Sequence, residues 1–505
     1  MNGRVWGRAA CPSGIQTLWG DVFALHSTAV TGLDGVLRAR QGATGDGSGA
    51  DMSAIEDLRG RVRGQVLTVG DDGYDVARHV NNAMHDKRPQ VIVRCENAGD
   101  VMAGIDYARQ HELELAVRGG AHSVPGFGTV DDGLVIDLSG MRFVRVDPAT
   151  RTARAGGGAT WGDFNAATHA FGLATTGGII STTGVGGLTL GGGIGYLARG
   201  LGLSCDNLVS ADVVTADGKF VIASEKEHED LFWALRGGGG NFGVATALEF
   251  RLAPVSTVYG GPMFFELSDA TAVLTGFREL IKDAPEQLGG FPAFQIAPPL
   301  PFIPENRHGE PFAAIVGCWA GDPADGEAQI SKFREFAPVV AEMVGPMPYP
   351  AINSAFDALV PPGLQHYWKA NFVTELTDEA IQAHLRHAPG LPAVNSTVHI
   401  YPINGACHRV TADSTAFAYR DANFATVIAG MWPDPADNES AISWVRSYYD
   451  DIAPHSEAGG YINFMAGDDQ GRIRDNYRQN YDRLAEVKRR YDPDNLFHLN
   501  QNIMP

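Results

Sequence analysis

"TTGGIISTTGVGGLTLGGGIGYLARGLGLSCDNL", residues 175–208, is the stretch on which the reading of this chain turns. Eleven glycines fall between residues 177 and 202 alone. Glycine at that density marks backbone that approaches something closely, or a run of turns needing positive φ. Within the stretch, Gly193-x-Gly195-x-x-Ala198 matches the GxGxxG/A dinucleotide pattern. That pattern needs a strand ahead of it. The residues ahead here are mostly Gly and Thr, so a Rossmann nucleotide site is disfavoured. Two further stretches are just as rich in glycine, "AVRGGAHSVPGFG" (116–128) and "DLFWALRGGGGNFGV" (230–244). The first sets His122 among residues that have almost no side chain. A lone histidine in a turn is more often structural than functional, and its surroundings decide between the two. Backbone N–H groups freed by glycine cradle anions. Three such stretches together suit one long ligand carrying a diphosphate.

The composition narrows the classes. The chain has 505 residues, 44% hydrophobic and 19% charged, with 62 glycines and a formal net charge of −20. Such acidity argues against nucleic acid as a partner, because phosphate binding needs a basic face. No apolar run approaches the ~20 residues of a membrane helix, so no membrane partner is expected. Cys11, Cys95, Cys205, Cys318 and Cys407 are scattered and contain no CxxC pair, which predicts neither a disulfide framework nor a zinc site. No metal ligands are assigned. Arg4 and Arg8 near the N-terminus precede no continuous apolar segment, so a cytoplasmic location is expected. P-loop, HExxH and GxSxG motifs are absent, which removes common NTPase, metalloprotease and hydrolase readings.

The organisation follows from texture. Residues 1–51 end in "RARQGATGDGSGAD" (38–51) and read as a disordered extension that contributes no core. Residues 52–254 alternate short strands and helices, including "QVIVRC" (90–95), "LELAVRG" (113–119) and a hairpin at 208–224 turning at Asp217-Gly218. Asn97 is placed as the cap of a helix with Val101, Ile105 and Ala108 on one face. From 255 proline becomes frequent and the glycine clusters stop, which marks a second domain to residue 460. Residues 461–505 close the chain, with one basic amphipathic helix predicted over 474–497 and ended by Asp492-Pro493.

Taken together, "RGGAHS" (118–123), "GLVIDLSGM" (133–141), the run 184–208, "DLFWALRGGGGNFGV", "YINF" (461–464) and "VKRRYDPDNLFHLNQNI" (487–503) resemble the flavoprotein oxidases of the vanillyl-alcohol oxidase and berberine bridge enzyme superfamily. The resemblance covers about residues 90–505. It implies an α+β fold: a two-lobed FAD-binding domain of the PCMH type, with its core at about 86–254 and joined by the tail. It also implies a substrate domain with a large antiparallel sheet flanked by helices. The cofactor implied is FAD, bound covalently through His122. Many relatives have glycine where Ala121 stands. Doubly linked relatives carry a cysteine that falls on Ile180 here, so His122 is expected to be the only covalent link and Cys205 a buried structural thiol. The resemblance places further cofactor contacts at Arg118, Gly119, Gly120, Ala121 and Ser123, then at Gly184, Gly186, Gly187, Leu188, Gly191 and Asn207. Gly243, Val244, Asn463, Asn500 and Gln501 complete the set.

The activity implied is oxidation of a C–H next to an O–H or N–H of a small organic substrate. Hydride passes to flavin N5, a base takes the proton, and O2 reoxidises the flavin. Tyr461 is the first candidate base, with Asn463 expected beside it on one face of a strand. Tyr401 is the second, from "VHIYPING" (398–405), where His399 points the same way. A dehydrogenase with another electron acceptor and a non-catalytic flavin-binding protein are the alternatives. Whether the chain is a monomer or a homodimer is left open.

Overall fold

Short runs of β-branched and apolar residues, divided by glycine turns, build three sheets in this computed structural model, which describes residues 49–505 and their side chains from Met52. The extension expected over 1–51 lies, up to residue 48, outside the described residues. The first described element is the helix Gly49–Arg61, which starts three residues ahead of Met52 and buries Leu58.

The first sheet contains β1 (Gln65–Thr68), β2 (Val91–Arg94), β3 (Leu115–Arg118) and β4 (Leu134–Asp137) in the order β1-β2-β4-β3. β2, β4 and β3 run parallel, and β1 is antiparallel. The Asn97 side chain accepts from the Asp100 N–H and starts the helix Ala98–Gln110, which buries Val101, Ile105 and Ala108 as its periodicity predicts. The second sheet contains β5 (Val144–Asp147), β6 (Thr152–Gly156), β7 (Leu208–Val214), β8 (Phe220–Ser224) and β9 (Val244–Arg251), all antiparallel, in the order β5-β6-β9-β7-β8. The β7–β8 hairpin turns at Asp217-Gly218, where Gly218 has φ +77°.

The third sheet has eight antiparallel strands: β10 (Thr257–Glu266), β11 (Leu288–Ile296), β12 (Pro311–Trp319), β13 (Val339–Glu342), β14 (Gly345–Pro348), β15 (Gln365–Val373), β16 (Thr397–Pro402) and β17 (Phe424–Trp432). The main path is β13-β10-β12-β11-β16-β17-β15, with β14 paired to β10. Alternation along each strand gives the sheet two different faces. The helices Ala270–Asp283, Asp378–His387 and Asn438–Ile452 cover one, packing Leu274, Phe277, Ile381 and Val445 on Phe265, Ile315, Ile400 and Ile428. The other face can be followed through the register, from Phe291 and Ala293 to His399 and Tyr401, then to Val427 and Ala425, then to Ala370, with Trp368 and His366 further along β15. On that face β11, β15, β16 and β17 carry no Asp, Glu, Lys or Arg.

The C-terminal region departs from the single helix predicted over 474–497. It consists of the helices Ile473–Tyr477 and Tyr481–Tyr491, separated at Arg478, where φ is +47°. Arg478 adopts this conformation while pairing with Asp421 (2.6 Å) and Glu457 (3.0 Å) and lying over the Tyr419 ring. The second helix buries Leu484 and Val487 in the same core as Trp233, Phe242 and Phe250, so the tail returns to the second sheet. Among the described residues, no helix is long and apolar enough to cross a membrane.

Four enclosed histidines, of which His366 and His384 are buried, are expected to make the fold sensitive to mild acid. Burial lowers His122 to about 4 and His366, His384 and His399 to about 3. An unfolded histidine binds its proton near pH 6.5. As pH falls below that value the unfolded chain takes up protons first, so folding stability is full above about 6.5 and declines towards 4. A lower urea midpoint at pH 5 than at pH 7 is the expected result; equal midpoints would contradict it.

Candidate active site

The first two glycine stretches meet back to back. A Cβ on Gly120 would collide with the backbone N of Gly184, and one on Gly184 would collide with Gly120 N. Gly191 lies against the Asn463 amide with equally little room. Gly187 differs: nothing stands within 4 Å of an added Cβ, and the residue is exposed. Gly186, buried beside it, would meet only Gly157 O at 3.5 Å and Leu248 at 3.9 Å. Gly119 would meet Gly157 O at 3.0 Å. Two substitutions separate packing from ligand contact. Gly120→Ala should lower both melting temperature and flavin content, whereas Gly187→Ala should keep the fold and lower flavin content only. Equal behaviour of the two would contradict this division.

His122 follows Ala121, which holds φ +60°. A non-glycine residue there costs roughly 1–2 kcal/mol. The imidazole is partly accessible yet enclosed on most sides, and burial keeps it neutral near pH 7. Its Nε2 bonds to Thr182 Oγ1 at 2.9 Å, which leaves Nδ1 as the ring nitrogen available to a ligand.

Several residues expected to contact the cofactor also hold their own loops. The Arg118 guanidinium turns into the first sheet, donating to Asp137 Oδ2 (2.6 Å) and His79 O (3.2 Å), because a buried carboxylate needs a partner. The Asn207 amide donates to Leu201 O (3.0 Å) and Leu203 O (2.9 Å), closing its own loop. Ser123 Oγ accepts from the Phe127 N–H at 3.3 Å. Gly243, at φ +150°, lets β9 start against Val213 and Val214, and the Val244 side chain is core. These side chains shape the loops.

Tyr461 and Asn463 do come together, though in the short 3-10 turn Ile462–Phe464 rather than a strand. Asn463 Nδ2 donates to Leu188 O (3.0 Å) and to the Tyr461 hydroxyl (2.8 Å). The Gly193 N–H also donates to that hydroxyl, at 2.8 Å. Tyr461 is fully buried, and burial pushes its hydroxyl well above the usual tyrosine value. At the chain end, Asn500 Oδ1 and Gln501 Nε2 are buried without partners. Buried polar atoms are normally bonded, so these two fit a ligand's polar edge. The residue that fastens this segment, Asn241, escaped the sequence reading although it lies inside "GGGGNFGV". Its Oδ1 accepts from the Ile503 N–H (2.9 Å) and its Nδ2 donates to Gln501 O (3.1 Å).

His366, on the uncharged face of the third sheet, lies near enough to His122 for a charge on one to lower the pKa of the other. The Tyr401 hydroxyl lies 2.5 Å from His399 Nδ1. Its ring packs on Phe291 and Phe464, and Phe464 also contacts Trp368 and Tyr461. His366 Nε2, Trp368 Nε1 and Tyr196 Oη are buried without partners. Cys205, Cys95, Cys318 and Cys407 are buried free thiols, and burial raises the Cys205 thiol well above its ordinary value. Among the described residues no cluster of His, Cys, Asp and Glu could hold a metal.

An open glycine cradle, an available His122 Nδ1 and the orphaned amide atoms of the tail fit FAD. The family model of the FAD-binding domain matches residues 89–224, and that of berberine and berberine-like proteins matches residues 460–504. Fold, site and matches define a flavin-dependent oxidoreductase. An FAD-linked oxidoreductase of Dictyostelium discoideum is 31% identical over 83% of this chain and 89% of its own length. The chain belongs to the berberine bridge enzyme-like family of FAD-linked oxidases. It is 29% identical to the (R)-6-hydroxynicotine oxidase of Paenarthrobacter nicotinovorans over 88% of this chain and 97% of that enzyme. The crystal structure of 6-hydroxy-D-nicotine oxidase from Arthrobacter nicotinovorans superposes with a TM-score of 0.77 at 28% identity, covering 88% of this chain and 98% of that one. Berberine bridge enzyme from Eschscholzia californica shares the fold, with a TM-score of 0.78 at 21% identity, covering 90% and 99%.

Proposed function

We propose that this protein oxidises a small, uncharged organic substrate at a C–H adjacent to a hydroxyl, with FAD held covalently through His122 alone and O2 as the final electron acceptor. The flavin supplies the two-electron acceptor for the C–H hydride. The chain's own residues supply binding, orientation and the proton route. The glycine loops and the tail amides Asn500 and Gln501 hold the cofactor. His366, Trp368 and Tyr196 offer polar atoms to the substrate from a wall of aromatic rings.

The observation that carries the mechanism is the Tyr401–His399 pair on the uncharged face. Tyr401 can pass its own proton to His399 Nδ1 while accepting the substrate's O–H proton. His399 is neutral and carries a lone pair on Nδ1 when Nε2 holds the ring proton; burial, which lowers His399 to about 3, opposes the charged ring, so the proton rests there only in passing. Tyr461 is less suited to the role of base. Its oxygen already accepts from Gly193 and Asn463, whereas that of Tyr401 faces a histidine nitrogen; burial raises both hydroxyls and does not separate them. We assign it the positioning of Asn463 and the Gly193 turn. With no carboxylate on β11, β15, β16 or β17 of this face, nothing there balances an ammonium group.

Anaerobic mixing of the yellow holoenzyme with a panel of neutral alcohols, amines and sugars tests the reading. Bleaching by neutral alcohols, with colour and hydrogen peroxide appearing on readmission of air, is expected. Bleaching that only an artificial electron acceptor reverses would replace O2 with another acceptor. Bleaching by cationic amines alone would overturn the substrate assignment.

A further inference from the structure

The segment 177–184 passes His122 and carries Thr182, the residue bonded to the imidazole. It is held on one side by the start of the helix Trp161–His169, where the Gly162 N–H donates to Ser181 O (2.7 Å) and the Trp161 N–H to Thr183 O (2.9 Å). On the other side it is held by residues that follow β14. Asp357 Oδ1 accepts from the Ser181 N–H at 2.8 Å, and Oδ2 accepts from the Ser181 hydroxyl. Asn353 is fully buried, donates to Gly178 O, and accepts from Asn165 Nδ2 at 2.9 Å. One carboxylate thus takes both donors of the serine next to Thr182. No thiol lies between residues 177 and 187, so no covalent bond from this segment to the cofactor can set its position.

We propose that Asp357 is a positioning residue for flavin attachment, acting through Ser181 and Thr182 on the tautomer and orientation of His122. The inference rests on the reading of His122 as the covalent link. In the tautomer that leaves the lone pair on Nδ1, the Nε2–H of His122 donates to Thr182 Oγ1 across the 2.9 Å contact. The second ring nitrogen of a histidine is fixed in this way by the hydrogen bond of the first. In attachment the Nδ1–C bond to the flavin 8α carbon forms, and a methyl C–H bond and the Nε2–H bond break. The flavin ring keeps two electrons and gains two protons, and O2 then removes both as hydrogen peroxide. Asp357 touches none of the reacting atoms. It holds the segment from which Thr182 reaches the ring.

The test compares covalent with total flavin in full-length protein, by visible absorption before and after acid precipitation. Loss of one hydrogen bond worth about 1 kcal/mol corresponds to about fivefold. Asp357→Asn and Thr182→Val should each lower the covalent fraction by roughly that factor, with the melting temperature and total bound flavin retained. A purely structural role would instead lower melting temperature and total flavin together and leave the ratio alone. Should Asp357→Asn not fold, Ser181→Ala removes one of the same two bonds and is read the same way. A wild-type ratio in these variants, beside a covalently flavinylated wild type, overturns the inference. A wild type without covalent flavin overturns the His122 reading and this inference with it.

Discussion

Tyr401→Phe should slow reduction of the flavin by substrate about 10²–10⁴-fold, the usual contribution of a general base. That factor corresponds to roughly 3–5 kcal/mol of barrier. The substitution keeps the ring against Phe291 and Phe464 and removes only the oxygen beside His399. The loss should therefore fall on the rate of reduction, with substrate affinity nearly unchanged. The covalent flavin spectrum and the melting temperature should be retained. His399→Gln removes the proton acceptor and should slow the same step. Tyr461→Phe is the comparison. It deprives Asn463 and Gly193 of an acceptor, so its effect should be smaller and should appear with altered flavin binding. If Tyr461→Phe abolishes reduction while Tyr401→Phe reduces at the wild-type rate, the base lies on the tail.

Lys488→Met should destabilise the protein by about 3–5 kcal/mol, the cost of breaking a buried ion pair. Lys488 and Asp492 are both completely buried, 2.7 Å apart. The ammonium also donates to Asn241 O (2.8 Å) and Phe497 O (2.9 Å). Asp492 in turn accepts from the N–H groups of Leu496 (2.8 Å) and Phe497 (2.9 Å). One lysine therefore ties the last helix to the third glycine stretch and to the turn that leads to Asn500 and Gln501. Methionine matches its length and leaves a carboxylate and two carbonyls underbonded. Flavin content should fall with stability, because the tail amides lose their support. Arg490→Ala, which breaks an exposed pair with Asp230 (2.8 Å), should cost under about 1 kcal/mol. Urea unfolding of both variants measures the contrast. A Lys488→Met protein that loses no more stability than Arg490→Ala would contradict the role given to the buried pair.

Much of this was legible in the sequence because glycine reports on backbone. Gly120 and Gly184 sit where any Cβ would strike the facing backbone, and Gly191 where one would displace the Asn463 amide. Strand and helix spans followed from periodicity, and Asn97 and the Asp217-Gly218 turn followed from local chemistry. What escaped was long-range pairing. Nothing local in "RDNYRQNYDRL" announces that Arg478 will break the helix, since its partners Asp421, Glu457 and Tyr419 are far away in the chain. Nothing local announces that the Arg118 guanidinium also bonds to Asp137 or that the Asn207 Nδ2 closes on the 201 and 203 carbonyls. The Asp357–Ser181 contact spans two distant segments and leaves no pattern in either. Tyr401 was visible as a candidate only because His399 lies two residues away on the same strand face, where alternation alone brings the two together.

The single covalent attachment at His122 is tested most directly by mass spectrometry of proteolysed, acid-precipitated protein. The precipitate should stay yellow, and one flavin should appear on one peptide, the one that contains His122. Cys205→Ser should leave that product unchanged. Flavin released in full by acid, or a flavin mapped to a peptide that contains Cys205, would contradict the account.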